Sequence, residues 1–216
     1  MDFDFGDLRM GLLRLIIVVL SLSMHEWGHA IVADRLGDDT PRSQGRVTLY
    51  PMAHIDWIGT VLIPGLGALG FFGNFSMIGW AKPVYINPSA FRRRQFDQAL
   101  VTLAGPGVNV GLAVLATAGL AIALRLHSEP LADFFSIVLT VNVGLAVFNM
   151  LPIPPLDGSK FFMYWFGMAE ETYYRLANYG GFVLLVLVNL PQFRQLMTVL
   201  FGLALKPFTV LLHVLT

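Results

Sequence analysis

Two histidines four residues apart with a glutamate between them, His25, Glu26 and His29 in the segment H-E-W-G-H, carry the strongest chemical signal in the chain. Residues at i and i+4 share one face of a helix, so this spacing presents two imidazole nitrogens to a single metal ion. Glu26, beside them, is placed to accept a proton from a water that attacks a metal-polarised carbonyl. Average residue usage gives a chance H-E-x-x-H in a chain of this size about once in a hundred or less. The plainer account is a helix end whose polar residues reach for an interface. It is weakened by the setting, because ionisable groups inside an apolar run are costly unless paired or functional.

A catalytic zinc site takes three protein ligands and leaves a fourth position open. The chain contains no cysteine, which excludes a disulfide framework and thiolate ligation and leaves imidazole and carboxylate as the metal ligands. The candidate third ligand is Asp157, in N-M-L-P-I-P-P-L-D-G from Asn149 to Gly158, where Pro152, Pro154 and Pro155 end an apolar run. A proline-rich turn closed by Asp-Gly is by itself more often only a turn. Whether Asp157 lies at the level of the histidines decides between the two readings, and that depends on the elements around it.

The 216 residues are 56% hydrophobic and 13% charged, with a formal net charge of zero. This is the balance of a membrane protein, and it carries no nucleic-acid footprint. Four apolar stretches are long enough to cross about 30 Å of hydrocarbon: Met10 to Val32, Gln98 to Leu124, Leu131 to Leu151 and Leu196 to Leu215. A shorter one, Leu176 to Leu190, crosses if its neighbours extend it. The first is not read as a cleaved signal, since Asp2, Asp4 and Asp7 outnumber Arg9 ahead of it. Ile58 to Gly79 is interrupted by Pro64, Gly65, Gly67, Gly70 and Gly73 and reads as re-entrant or broken.

Arginines set the orientation. Arg35, Arg42 and Arg46 follow the first stretch and Arg92, Arg93 and Arg94 precede the second, so both flanks belong on the cytoplasmic side. An even number of crossings then separates them, which supports the re-entrant reading independently. The N-terminus and Ser128 face outward, and Gly37, Asn87 and Ser159 face the cytoplasm. The histidines and Asp157 thereby fall on one face. Gly45 to Tyr50 alternates and is rich in β-formers, which predicts a short surface strand. The fold class is thus an all-α polytopic bundle of about five to six transmembrane segments, with a re-entrant glycine-rich segment and that strand. It forms one membrane-embedded domain, 1–216, with its core at about 10–160 and C-terminal helices at about 161–216.

H-E-W-G-H and N-x-x-P-x-P-x-L-D-G, in this order and separation, resemble the site-2 protease family of intramembrane zinc metalloproteases. That family's A-G-P-x-x-N appears as Ala104, Gly105, Pro106 and Asn109. G-R-V-T-L-Y-P-M-A-H-I-D-W-I-G-T and G-W-A-K-P-V-Y-I-N-P resemble the compact branch without an appended PDZ or CBS domain. The resemblance implies His25, His29 and Asp157 as ligands of one zinc, Glu26 as general base, and Asn149 as a residue that orients the substrate carbonyl or stabilises the oxyanion. It also implies a transmembrane protein substrate and a place in a prokaryotic cell membrane with the site toward the cytoplasm. Satisfying backbone groups at the helix break is the competing role for Asn149. The rival class is a zinc-binding carrier or scaffold without hydrolysis. A carrier needs a polar path across the bilayer, which the apolar outward halves do not offer, and a scaffold has no use for Glu26. His54 reads as an auxiliary contact or as an interfacial residue bonded to Asp56, and His127, His213, Trp27, Trp57 and Tyr50 read as interfacial anchors.

Overall fold

The computed structural model describes residues 5–62, 65 and 81–216. Its helices are α1 (Phe5–Arg35), α2 (Thr40–Ser43), α3 (Arg94–Arg125), α4 (Glu129–Asn149), α5 (Asp157–Trp165), α6 (Glu170–Leu187) and α7 (Pro191–Leu215). Short 3-10 turns occupy Pro51–Ala53 and Pro88–Ala90, and a π-helical stretch runs over Trp57–Leu62. The protein is an all-helical integral membrane protein. Four helices among the described residues, α1 from Arg9, α3, α4 and α7, are long and apolar enough to cross a bilayer, and they coincide with the four long stretches expected. The shorter stretch falls on α6, whose first two turns carry Glu170, Glu171 and Arg175. Most of Ile58 to Gly79, read as re-entrant, lies outside the described residues.

Local chemistry sets the ends. Prolines stand in the first turns of α4 and α7, where a missing N–H loses no helical bond. Gly37 closes α1 at φ +105°. The amide of Asp38 bonds Ala33 O at 3.0 Å and that of Gly37 bonds Asp34 O at 3.2 Å, the paired closure that favours glycine in the left-handed region. His127 does the same for α3 at φ 51°, with Ser128 N on Ala123 O and His127 N on Leu124 O. This histidine shapes the α3–α4 turn, a role its position at a span end did not disclose.

Helix α3 is central and packs against α1, α4, α5 and α7. Small residues let the backbones approach: a Cβ at Gly28 would lie 2.9 Å from the carbonyl oxygen of Ala104, the kind of contact that replaces the hydrophobic effect between helices in lipid. Ile17, Val18 and Leu22 of α1 meet Val141 of α4, and Ala113 and Ala116 of α3 meet Leu139 and Val143. At one end of the bundle Ala33 of α1 packs with Phe91 and Val101. The end of α1 and the start of α3, each flanked by its arginines, therefore share a face.

The expected strand at Gly45 to Tyr50 is absent; no strand occurs among the described residues. Tyr50 is extended (φ −69°, ψ 113°), but a strand needs a ladder partner and none of the described residues supplies one. The segment is instead pinned from its flanks: Arg46 N donates to Pro41 O at 2.8 Å, the Arg46 guanidinium donates to Ala53 O, and His54 Nε2 donates to Thr48 O at 2.9 Å. His54 is thus bonded to a backbone carbonyl rather than to Asp56. Its Nδ1 is buried without a hydrogen-bond partner. Asp56 caps the π-helical stretch, accepting from Ile58 N at 3.1 Å and Gly59 N at 2.8 Å.

Candidate metal centre

Residues far apart in sequence meet at the shared end of the bundle. His25 and His29 project from one face of α1, and the P-I-P-P-L turn after α4 delivers Asp157 as the first residue of α5. Gly158 allows the turn to fold back, since a Cβ there would stand 2.2 Å from Met150 O. His25 Nε2 lies 3.0 Å from Asp157 Oδ2, His29 Nε2 lies 3.1 Å from the same oxygen, and the two Nε2 atoms are 3.1 Å apart. The rings cross at 83°, edges turned inward. All three side chains are buried.

The donor set fits a zinc ion. His29 Nδ1 lies 2.7 Å from Val101 O, which can only accept, so Nδ1 carries the proton and Nε2 is a bare lone pair. His25 Nδ1 is held 2.6 Å from Asn109 Oδ1, with the same outcome. Two lone pairs and a carboxylate oxygen thus converge away from water, an arrangement that calls for a cation. Their separations approach the about 3.3 Å between ligands around a tetrahedral zinc. Space is left beside them: a Cβ on Gly105 of α3 would sit 2.3 Å from His29 Nε2 and 2.6 Å from His25 Nε2. Lys160, one turn along α5, places Nζ 3.4 Å from Asp157 Oδ1 and leaves Oδ2 to the histidines.

Glu26 is not part of the triangle. It is half-buried on the neighbouring position of α1, and its Oε2 accepts from Val84 N at 3.2 Å. That amide belongs to the irregular residues 81–87, which also hang from His54 O through Lys82 N (2.9 Å) and from Asp38 Oδ2 through Asn87 N (2.7 Å). Asn149 donates through Nδ2 to Leu145 O at 3.0 Å, back along its own helix. Its second N–H and its oxygen make no hydrogen bond among the described residues. Sequence reasoning passed over Lys160, Val84 and Asn142; the last, a buried amide inside an apolar span, had its polarity as a signal.

Residues 123–188, which hold Asp157 and Lys160, match the model for peptidase family M50. The chain is 38% identical over 156 residues to the Bacillus subtilis (strain 168) protein named "Putative zinc metalloprotease YwhC", covering 68% of this chain and 65% of that one. The chain carries a domain of peptidase family M50, the site-2 protease family. Two further relatives carry the name "Putative zinc metalloprotease Rip2". The Mycolicibacterium smegmatis protein is 34% identical over 158 residues, 69% of this chain and 56% of the relative. The Mycobacterium tuberculosis H37Rv protein is 32% identical over 148 residues, 65% and 52%. The chain spans less than two thirds of the length of each of these relatives. No solved structure matches it.

Proposed function

We propose that this protein is an intramembrane zinc metalloprotease hydrolysing peptide bonds of membrane-spanning or membrane-adjacent proteins, with its site toward the cytoplasm of a prokaryotic cell. The convergence of His25 Nε2, His29 Nε2 and Asp157 Oδ2 carries the reading. These three would hold one zinc, which when bound polarises a carbonyl and acidifies water. Val101 O and Asn109 Oδ1 keep both imidazoles in the ligating tautomer. Lys160 holds Asp157 through its second oxygen. Glu26 accepts the proton of the attacking water and passes it toward the leaving amine. Asn149, with one N–H uncommitted, orients the substrate carbonyl. A substrate helix must first unwind, because a helix satisfies and shields its own carbonyls.

The purified protein is expected to hold one zinc per chain by elemental analysis. A chelator should stop cleavage of a model transmembrane substrate and zinc should restore it. His25→Ala, His29→Ala and Asp157→Ala should each weaken zinc by more than the about 10–100-fold typical of losing an outer partner. Full zinc in the Asp157 variant would remove that residue from the site. A zinc-loaded wild type inert toward every membrane substrate tried would favour the carrier or scaffold class.

The shared face of α1 and α3 yields a topological expectation. Exposed Gln44 and Ser89 lie near the arginine clusters, and exposed Glu129 lies at the opposite turn. In intact cells a membrane-impermeant thiol reagent should label Glu129→Cys and spare Gln44→Cys and Ser89→Cys. Labelling of the last two from outside would place the site on the other side of the membrane.

A further inference from the structure

The proton position on His25 is decided two side chains away. Val138 O on α4 can only accept, so the group 2.8 Å from it is the Nδ2 of Asn142, which also donates to Ser21 Oγ at 3.0 Å. Both N–H bonds of that amide are thereby used, and Asn142 Oδ1 is turned to Asn109, accepting from its Nδ2 at 2.9 Å. Asn109 is left with only its Oδ1 to offer His25 Nδ1. Each link has one polarity, from a backbone carbonyl on α4, through α3, to the imidazole on α1. Both asparagines are fully buried, at 0% exposure, so no solvent offers them another arrangement.

We propose that Asn142 is a positioning residue of the metal centre: by fixing the orientation of Asn109 it holds His25 with its proton on Nδ1 and its Nε2 lone pair toward the metal. The inference rests on the zinc reading above and adds a residue that touches neither metal nor ligand. Without the Asn142 oxygen the Asn109 amide is free to turn. Its N–H then meets Nδ1, which forces the proton onto Nε2 and removes the lone pair from the site. A polar clasp between α4 and α1, the common reason for an asparagine inside a bundle, would have a different signature, because it depends on the two donated bonds and not on the oxygen.

Zinc affinity of the intact, detergent-solubilised protein, measured by competition with a chelator, separates the two. Asn142→Leu should bind zinc about 10–100-fold more weakly than wild type. Asn142→Asp keeps the acceptor and loses the donors, so it should melt earlier yet keep zinc affinity within about threefold, a margin small beside the outer-partner effect. Affinity that instead follows thermal stability across the two variants overturns the proposal, as does wild-type affinity in Asn142→Leu. Should the leucine variant not fold, Asn142→Ala gives the same comparison. In the Asn109→Leu background, Asn142→Leu should cost no further affinity, since its effect passes through Asn109; an additive loss overturns the relay. Wild type that binds no zinc would instead sink the proposed function itself, so the two failures are distinct.

Discussion

Exchanging Glu26 for glutamine is expected to leave zinc content unchanged and to lower hydrolysis about a hundred- to ten-thousand-fold, the range general bases contribute. The amide preserves the size of the side chain and still accepts the hydrogen bond from Val84 N, made at 3.2 Å in the wild type. Residues 81–87 should therefore stay in place, and with them the approach to the site. What glutamine cannot do is take a proton from water. Because the ligand triangle is complete without Glu26, elemental analysis and a cleavage assay on the same preparation separate binding from chemistry. Cleavage persisting at the wild-type rate would show that another group is the base.

Gly105→Ala should empty the metal centre although Gly105 supplies no ligand. Its added methyl would stand 2.3 Å from His29 Nε2 and 2.6 Å from His25 Nε2, inside any real contact distance. Neither ring is free to retreat, since His29 is tied to Val101 O at 2.7 Å and His25 to Asn109 Oδ1 at 2.6 Å. We expect zinc affinity to fall by at least about a hundredfold, the upper end of outer-partner losses. Gly107→Ala, two residues along α3 with nothing within 4 Å of its added carbon, should bind zinc like wild type. A normal zinc content in Gly105→Ala would mean that α3 stands further from the histidines than the structure places it.

Much of the site was legible because its parts are local. H-E-W-G-H places two imidazoles on one helix face with a carboxylate beside them by helical spacing alone, and the proline cluster before Asp157 marks both the end of one helix and the start of the next. The apolar lengths located the four long helices because lipid leaves a spanning segment little choice of conformation. Arginine placement predicted which helix ends meet, and the packing of Ala33 with Phe91 and Val101 agrees. The failures are of another kind. Gly45 to Tyr50 has strand-forming residues, but a strand exists only with a partner, and pairing is not written in the strand's own residues. The role of His54 stayed open for a similar reason: Thr48 O and the Asp56 carboxylate both lie close in sequence, and only the turn geometry selects Thr48 O as its partner. Asn142 reaches His25 only through Asn109 of α3, so its connection to the site appears only once α1, α3 and α4 are packed.

His25 and Asp157 are separated by 132 residues, and the α3–α4 hairpin lies between them in the chain. During synthesis α1 precedes α5 and carries only two of the three grouped donors. The carboxylate arrives only after the α3–α4 hairpin has entered the bilayer and the proline turn has folded back. The three donors are therefore brought together only after α3 and α4 are in place, and a bound ion would join α1 to α5 much as a cross-link does. If the proposed function holds, a nascent chain that has not yet placed Asp157 has no third ligand with which to hold a metal and so no means of premature hydrolysis.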